Sequence, residues 1–560
     1  MGEELNETQT NRSPYTGRWV AFVRGRIVAQ GGTPEQALRA AQASRHKEKI
    51  EIQFMSLPFS FPPLLQKTMD VLPHDVDVYL VGGAVRDLLM NRLSPDFDFA
   101  VPSNGISLAR TVANALKADF MVLDDERDTG RVVITNADGS FTYLDFATYR
   151  GATLEDDLRD RDFTINALAL NTKNITIIDP LNGANDIRAK VIRACSQTSL
   201  SDDPVRILRG VRQAAAFGFS IEKTTRELMK QSAGKVGDVS AERLRDEIFK
   251  MLGGPKASAS IRALEMLGVL QHLMPELLIM KGVMQSPPHI HDVWTHTLAV
   301  VDQLDDLLTS SLRLDFDPEK TSDMFMGLVS LKIGRYREQF ANHFANPLNP
   351  NRSHRSLLFF SALYHDVCKP ETRFVDDTGR VRFYDHDIKG AEVVANRAKA
   401  FNLSSDEVER LQIIVRHHMR FHFFAARLEN EGQPPSRKAI YRFFRDSGRA
   451  GIDLILLALA DLRGTQGNDM TQKTWTVYLD VARILLENYW EHPEETVNPP
   501  RLVDGNDLMK NLQLQPGKVI GNLLEAIREG QASGKIVDTE HALNFAREEL
   551  RKLEEGNNTE

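Results

Sequence analysis

Apolar and polar positions divide the chain into a strand-rich first part and a helical second part. From about residue 60 to 180, apolar runs of strand length alternate with an amphipathic helix predicted at 105–117. Beyond residue 200, apolar residues recur at a spacing near 3.6, which predicts helices almost throughout. The pattern therefore predicts an α+β protein, in which a head with a small sheet is followed by an all-helical neck and body.

Turn-rich and polar stretches separate five regions. The sequence predicts a small accessory α/β module with a disordered N-terminus at 1–55, a head at 60–195, a helical neck at 196–285, a helical domain with an insertion at 311–353 over 286–495, and a helical tail at 500–555. A hairpin, a helix and a strand are predicted within the accessory module. Helices are predicted at 201–218, 223–232, 240–252, 257–269, 354–366, 388–401, 405–419, 436–446, 450–462, 471–490, 505–511, 516–529 and 539–554.

The composition is that of an ordinary globular protein, with 42% hydrophobic and 26% charged residues. No apolar run approaches the ~20 residues that span a bilayer, so no membrane partner is expected. The polar N-terminus lacks the apolar core of a secretory signal. Cys195 and Cys368 lie too far apart for a C-x-x-C pair, which fits a reducing cytosol and excludes a zinc ribbon. A cytoplasmic location is expected.

The formal net charge of −8 does not by itself indicate a nucleic-acid binder. Local basic patches decide such binding, however, and two occur, at 206–213 and 416–427. The charge balance therefore leaves RNA binding open.

Asp96 and Asp98 carry the strongest chemical signal. They are one residue apart on a predicted strand, and because strand side chains alternate between faces, both carboxylates point to the same side. Adjacent carboxylates repel each other unless a cation lies between them, and hard oxygen ligands suit Mg²⁺. The strand therefore predicts a Mg²⁺ site. Asp145, on a later predicted strand, is either a third carboxylate near the metals or a plain strand residue.

Paired glycines precede this strand. An apolar run ends at Gly82 and Gly83, which allow an anion close to the backbone. A short helical segment with Arg86 and Asp87 follows, and its N-terminus offers free N–H groups to a phosphate. A glycine turn beside a solvated acidic strand is the simpler alternative. Together with the acidic pair, the turn favours metal-dependent nucleotidyl transfer from a nucleoside triphosphate.

Two further groups extend this predicted nucleotide pocket. Arg161 suits a triphosphate because a guanidinium matches phosphate oxygens, whereas Asp162 and Asn166 are placed to bind a ribose. The helix predicted at 201–218, with Pro204 in its first turn, has three polar residues on one face that suit the edge of a base. These residues are Asp203, Arg206 and Arg209.

A second constellation lies in the helical part. His365 and Asp366 end an apolar helical run, with His296 upstream and Asp461 downstream. Such residues on separate helices can converge on a divalent metal, whose identity the sequence leaves open. Additional candidates, with structural or phosphate-facing roles as alternatives, are His386, His417 and His418.

The order of the motifs makes a family resemblance specific. From about residue 60 to 275, the chain resembles class II tRNA nucleotidyltransferases and bacterial poly(A) polymerases in GGAVRD (82–87), DFD (96–98), RDRDFTINAL (159–168), DPLNGANDIRAKVIRA (179–194) and DDPVRILRGVRQAA (202–215). Residues 288–465 resemble the HD phosphohydrolase superfamily, and 502–550 resembles the tail of some HD-bearing tRNA nucleotidyltransferases.

This resemblance implies a polymerase-β-like nucleotidyltransferase head and a role for each motif. Asp96 and Asp98 would bind two Mg²⁺ ions, and Asp203 and Arg206 would pair with the incoming base. The triphosphate would be held by Gly82, Gly83, Arg86 and Asp87, and the ribose by Arg161, Asp162 and Asn166. The HD resemblance implies hydrolysis of phosphomonoesters or 2′,3′-cyclic phosphodiesters, and a domain kept only for packing or tRNA binding is the alternative.

The expected function is the addition of CMP and AMP, from CTP and ATP, to the 3′ end of tRNA. A poly(A) polymerase or a CC-adding enzyme is the alternative within the class, because only 149–153 spans the place of the flexible loop of CCA-adding relatives. Alternatives of other classes are an HD phosphohydrolase with an RNA-binding head and a non-catalytic RNA-binding module. The oligomeric state stays open.

Overall fold

The computed structural model describes residues 18–24, 26–44, 49–54, 61–92, 96–136, 139–316, 323–346, 348–349 and 352–557. The predicted disordered N-terminus lies outside these residues. The chain forms two compact units, Met1–Val239 with Leu267–Val269, and Ser240–Met266 with Leu270–Glu560. The small-sheet head and helical remainder confirm the predicted α+β class.

The first unit holds nearly all the strands. In chain order its elements are β1 (Trp19–Val23), β2 (Arg26–Gly31), α1 (Pro34–Ala43), β3 (Glu51–Phe54), α2 (Pro63–Asp70), β4 (Tyr79–Val81), α3 (Gly83–Leu89), β5 (Asp96–Val101), α4 (Gly105–Leu116), β6 (Asp119–Asp124), β7 (Thr129–Thr135), β8 (Phe141–Thr148), α5 (Leu154–Arg159), β9 (Ala169–Asn171), β10 (Ile177–Ile178), α6 (Gly183–Ala189), β11 (Val191–Ile192), α7 (Ser199–Asp202), α8 (Val205–Phe217), β12 (Ser220–Ile221) and α9 (Lys223–Ser232).

A seven-stranded sheet in the order β10-β9-β4-β5-β8-β7-β6 positions the head residues. β4 runs antiparallel to β5, with Val81 opposite Asp98, so the turn after β4 lies next to the acidic strand. β5 and β8 are parallel, and Asp98 lies opposite Asp145. Beneath them Phe99 and Phe146 stack with ring centroids 4.7 Å apart and are buried. The hairpin predicted in the accessory segment is β1 with β2, and these two strands form a separate sheet with β3.

The helix predicted at 201–218 is wrong in its first turn. The structure has a short α7, then Asp203 in an extended conformation (φ −140°, ψ 88°), and α8 begins only at Val205. The physical reason is Pro204, whose ring disfavours the helical conformation in the residue before it. Asp203 therefore lies on a break between two helices, and Pro204 is the N-cap of the second.

The described residues of the second unit form helices and one hairpin. Its elements are α10 (Ala241–Leu252), α11 (Ala257–Met266), α12 (Leu270–Leu273), α13 (Pro275–Leu278), α14 (Val293–Asp306), α15 (Met324–Ile333), α16 (Arg337–Ala345), α17 (His354–Tyr364), β13 (Arg373–Val375), β14 (Val381–Phe383), α18 (His386–Ala400), α19 (Ser405–His417), α20 (Met419–Glu431), α21 (Arg437–Ser447), α22 (Ala450–Gln466), α23 (Gln472–Trp490), α24 (Gly505–Leu512), α25 (Lys518–Ala532) and α26 (Thr539–Asn557).

The core of the second unit lies around α22, which is buried along nearly its whole length. A helix that is apolar on every side belongs inside a large domain. Helices α14, α17 and α19 pack against it. The predicted insertion holds α15 and α16, and its Lys332 binds Asp480 of α23 at 2.7 Å, so this segment is part of the domain's packing. The sequence did not predict α20, which had been noted only as a basic patch.

Both cysteines are free, and Cys368 is buried. Among the described residues, no helix is both long enough and apolar enough to cross a bilayer.

Candidate nucleotide site and metal centre

The acidic pair lies at the start of β5. Asp96 and Asp98 are both solvent-accessible, and the residue between them, Phe97, is buried on the other face. Protein atoms nevertheless crowd the Asp98 carboxyl. This burial, together with the charges of Asp145 and Asp96 and against the opposing charge of Arg161, raises the pKa of Asp98 to about 6. A cation between the carboxylates would relieve this repulsion.

The Asp145 carboxylate is bound by Arg131. Its two carboxylate oxygens accept hydrogen bonds from Nε and NH2 of Arg131, both at 2.7 Å. Arg131 also lies over the ring of Tyr143, with its guanidinium carbon 4.6 Å from the centroid. A forked pair of this kind is strong and directional. The structure therefore supports the plain structural alternative for Asp145 over a third metal ligand.

Both the backbone conformation and the neighbouring atoms require a glycine at position 82. Its φ is +73°, in the left-handed region, and a Cβ at this position would lie 2.8 Å from NH1 of Arg161. Arg161 is held there by Asp157, which accepts from its NH2 at 3.0 Å. The glycine turn thus places a guanidinium beside the backbone at the N-terminus of α3. A triphosphate would meet both donors at this point.

Four of the predicted nucleotide-binding residues form one chain of buried polar contacts. Arg86 donates through NH1 to Oδ1 of Asn166 at 2.6 Å. The Asn166 amide nitrogen donates to Asp162 at 2.9 Å, and Arg209 approaches the other Asp162 oxygen at 3.3 Å. Gln213 also accepts from Asn166, at 3.2 Å. Such a network fixes the side chains in one arrangement.

Arg86 and Asp87 are bound to each other. Nε of Arg86 donates to Asp87 at 2.9 Å, and its guanidinium carbon lies 4.5 Å from the ring centroid of Phe217. Burial raises the pKa of Asp87 against the opposing charge of Arg86. Gly83 lies close to the same guanidinium, since a Cβ there would be 3.4 Å from NH2 of Arg86.

Arg206 is engaged with the main chain. Its NH2 donates to the Asp160 carbonyl at 2.8 Å, and its NH1 donates to the carbonyls of Arg161 and Ser199 at 3.3 and 3.2 Å. Its Nε lies 3.7 Å from Asp203. The guanidinium therefore ties the segment that carries Arg161 to α8, in addition to any contact with a base.

The segment 149–153 is short, as the sequence indicates, and leads directly into a capped helix. Thr153 and Asp156 form a reciprocal capping box at the start of α5. The backbone N–H of Arg150 donates to Asp157 at 3.2 Å. Because Asp157 also holds Arg161, this segment and the nucleotide pocket share a carboxylate.

Four supporting residues of the head were not predicted from the sequence. These are Arg131, Asp157, Gln213 and Phe217. Arg131, Gln213 and Phe217 lie 14 to more than 100 residues from their partners, so no local spacing indicates them. Asp157 and Arg161 are four residues apart, which is a detectable helical spacing.

The four predicted metal ligands of the second unit lie together. His296 on α14 places Nε2 3.4 Å from Asp366 and 3.1 Å from Asp461 on α22. Nε2 of His365, just after α17, lies 3.2 Å from the same Asp366 oxygen. All four are at most 9% exposed. The four side chains therefore converge, as the sequence predicts for these apolar helices.

His386 and His418 extend the cluster, whereas His417 does not join it. Their Nε2 atoms lie 3.5 and 3.8 Å from the second oxygen of Asp366, and 3.3 Å from each other. Within the described residues, two of the sets of side chains with metal-ligand spacing are His296 with His365 and Asp461, and Asp366 with His386 and His418. Asp366 therefore presents one oxygen to each set.

Three of the histidines are oriented as ligands by main-chain carbonyls. Nδ1 of His365, His386 and His418 contacts the carbonyl three residues earlier, at 2.8, 2.8 and 2.7 Å. A carbonyl only accepts, so Nδ1 carries the proton and Nε2 keeps its lone pair. In the part of the chain that the structure describes, Nε2 of His296 and of His365 has no hydrogen-bonding partner of acceptable geometry. The donor set fits divalent metal ions.

Electrostatics divide the histidines. Burial would lower the pKa of His296, but the carboxylates of Asp366 and Asp461 outweigh it and raise this pKa to about 9. Burial lowers the pKa of His386 and of His418, which keeps these imidazoles neutral. Neutral imidazoles are ready for a metal, whereas His296 has to release a proton first.

Three family models match parts of the chain. The family model described as "Poly A polymerase head domain" matches residues 78–193, "Probable RNA and SrmB- binding site of polymerase A" matches 218–280, and "HD domain" matches 330–447. The chain is 31% identical over 473 residues to an A-adding tRNA nucleotidyltransferase of Deinococcus radiodurans, covering 83% of this chain and 94% of that one. It is 30% identical over 475 residues to a CC-adding tRNA nucleotidyltransferase of Thermus thermophilus, covering 84% and 93%.

Solved structures share the fold. A CCA-adding enzyme in complex with CTP aligns with a TM-score of 0.55 at 21% identity, covering 88% of this chain and 96% of that one. A Thermotoga maritima CCA-adding enzyme complexed with tRNA aligns with a TM-score of 0.51 at 22% identity, covering 88% and 97%. On the strength of the two long, similar relatives, the chain belongs to the tRNA nucleotidyltransferase family, as an enzyme with a poly(A)-polymerase-type head and an HD domain.

Proposed function

We propose that the protein adds CMP and AMP, from CTP and ATP, to the 3′ end of tRNA in the cytoplasm. The observation that carries the proposal is the pair Asp96 and Asp98, accessible on β5 beside the Gly82 turn. The relatives named for A addition and CC addition support the class of reaction and its substrate.

The head residues have separate tasks in this reaction. Asp96 and Asp98 would hold Mg²⁺, and the ion would supply activation of the terminal hydroxyl of the tRNA and neutralisation of charge on the leaving pyrophosphate. Gly82, Gly83 and the N-terminus of α3 bind the triphosphate, with Arg161 beside them.

The remaining contacts orient the nucleoside. Asp162 and Asn166 bind the ribose, and Arg86 and Arg209 hold these two side chains in place. Asp203 contacts the edge of the base. Asp203 lies in the interruption between α7 and α8, where its backbone is not helical. Arg206 fixes Asp203 and the Arg161 segment together.

A second candidate is an enzyme that adds only part of the CCA tail. Two observations favour it. The segment 149–153 is short and leads directly into a capped helix, and the relatives that match along most of the chain are named for A addition or CC addition.

The product on a tRNA lacking CCA distinguishes these candidates. We expect two residues to be added with CTP alone and a third with CTP and ATP. A product that stops after two C residues with both nucleotides present assigns the CC-adding activity. No addition to this tRNA, together with one A added to a tRNA that ends in CC, assigns the A-adding activity. A tail that lengthens with ATP alone would contradict both and indicate a poly(A) polymerase.

For the HD domain, we propose a centre that would hold two divalent metal ions, one with each of the two ligand sets described above, and that would act on phosphomonoesters or 2′,3′-cyclic phosphodiesters. The support is that Asp366 offers one oxygen to each of two ligand sets. A bound divalent metal supplies an activated water as nucleophile. Lys369 contacts Asp366 and Gln285, at 2.6 and 2.8 Å, and is placed to hold a substrate phosphate.

A further inference from the structure

A pocket between α20 and α21 belongs to neither site described above. Its cavity of about 290 Å³ is large enough for one base with part of its ribose. The residues that define its character are Arg420, Phe423, Phe424, Ser436, Lys438 and Arg442. Its residues Arg420, Phe423 and Phe424 belong to the basic patch at 416–427, and neither the proposed nucleotidyl transfer nor the metal centre uses these three side chains.

Every charged residue that lines the pocket is a cation. The anionic partners lie outside the lining: Asp446 binds NH1 of Arg420 at 2.8 Å, and Glu529 binds Arg442 at 2.7 and 2.8 Å. Lys438 also contacts Glu529. Lys438 and Arg442 keep 50% and 48% of their side chains exposed. The ion pairs orient the cations and leave positive charge on the pocket wall.

An exposed aromatic ring lies beside these cations. Phe423 is 66% exposed, whereas Phe421 and Ala425 on the other face of α20 are fully buried. Phe424 is anchored against Phe443, with ring centroids 5.9 Å apart. α20 therefore uses Phe421 and Ala425 for its core and presents Phe423 to solvent at the pocket.

We propose that this pocket binds an unpaired nucleotide of RNA. The base stacks on Phe423, and the backbone phosphate pairs with Lys438 and Arg442. Cations next to an exposed aromatic ring are the combination that binds single-stranded RNA, because stacking accepts any base while the cations follow the backbone. The inference rests on the proposed function, in that the RNA is the tRNA substrate.

Binding of a tRNA lacking CCA, measured against KCl concentration, tests the pocket. Phe423→Ala is expected to weaken binding about 10-fold, the effect of one lost stacking contact, with an unchanged salt dependence. Lys438→Gln is expected to reduce the slope of log K against log salt by about 0.7, the effect of one lost phosphate contact. Phe374→Ala, at a ring 52% exposed elsewhere in the unit, and Lys473→Gln are matched controls that leave both quantities unchanged.

Two parallel measurements separate this inference from the proposed function. CTP incorporation by the unaltered protein tests the function, and binding of a single-stranded oligoribonucleotide tests the pocket without any transfer. If Phe423→Ala and Lys438→Gln bind both RNAs with unchanged affinity, the proposal that the pocket binds RNA is wrong. The same result is expected if the pocket binds a protein segment instead of RNA. Equal melting temperatures of the variants and the unaltered protein exclude a folding effect, as expected for exposed side chains.

Discussion

At the scale of single residues, a bound cation would stabilise both the Asp98 carboxylate and the histidine cluster. Burial and neighbouring carboxylates disfavour the charge of Asp98, and Nε2 of His296 and of His365 has no hydrogen-bonding partner of acceptable geometry among the described residues. The raised pKa of Asp98 means that the folded protein binds a proton, between about pH 4 and 6, that the unfolded chain has released. The stability from this proton is fully present below the unfolded pKa and is lost as the pH rises through about 6. Ionised Asp98 is thus a cost to the metal-free head at neutral pH.

Asp98→Asn should therefore raise the melting temperature of the metal-free protein by about 1 °C at pH 8 and change it little at pH 4, because water screens the exposed part of the carboxyl. The cause is removal of a charge that burial and Asp145 disfavour. Differential scanning fluorimetry with chelator gives the values, and Asp119→Asn, at an exposed carboxyl on β6, is the control. A lower melting temperature than the unaltered protein at pH 8 would contradict this assignment.

His418→Ala should reduce the bound metal from two ions per chain to one. His418 belongs to the set with Asp366 and His386, while His296, His365 and Asp461 remain. Elemental analysis of protein loaded with Mn²⁺ measures the stoichiometry. His417→Ala is a closely matched control, because His417 is the neighbour of His418 in the sequence but lies outside both sets. Two ions retained by His418→Ala would rule out the second set.

At the scale of elements, a buried ion pair is among the contacts that join the accessory module to the head. NH1 of Arg18, just before β1, lies 3.1 Å from Asp179, and their side chains are 3% and 0% exposed. Asp179 also accepts from the N–H groups of Gly183 and Ala184 at the start of α6, at 2.6 and 3.1 Å. The module therefore stabilises the loop that precedes α6.

Arg18→Met should lower the free energy of unfolding by about 3 kcal/mol, since it leaves the buried Asp179 carboxylate without its cation. The double variant Arg18→Met/Asp179→Asn should recover part of this loss. Chemical denaturation gives both values, with Arg26→Met at an exposed position of β2 as the control. A loss below about 1 kcal/mol would show that the pair contributes little.

The sequence predicted elements where the signal is local and failed where partners are remote. The alternation in β5 placed Asp96 and Asp98 together, and the buried run before His365 placed that residue at a helix end. The interruption of the helix at Asp203 follows from Pro204 and can be predicted from the sequence, because a proline disfavours the helical conformation in the residue before it. Arg131, which occupies Asp145, could not be predicted because strand pairing decides which residue lies opposite.

At the scale of the whole molecule, each compact unit contains its own polar site. The predicted nucleotide residues lie between Gly82 and Arg209 in the first unit, and the metal ligands between His296 and Asp461 in the second. The contacts described for each site are made within its own unit. The two chemistries are therefore expected to be separable by substitution.

His365→Ala should abolish hydrolysis of a 2′,3′-cyclic nucleotide and leave CTP incorporation into tRNA unchanged. The described contacts of the two sites share no residue, and substitutions without shared partners usually act independently. Both activities are measured on the same preparation. A parallel loss of incorporation with an unchanged melting temperature would show that the two sites are coupled.

The most direct test of the central claim is CTP incorporation into a tRNA lacking CCA by Asp96→Asn and Asp98→Asn variants, beside the unaltered protein and Asp119→Asn. The unaltered protein and Asp119→Asn should add C residues at the same rate. Each substitution in the acidic pair should slow addition by about 1,000-fold or more, because a lost metal ligand removes several kcal/mol of transition-state stabilisation. Near-normal incorporation by either folded variant would contradict the assignment of Asp96 and Asp98 as the metal-binding centre.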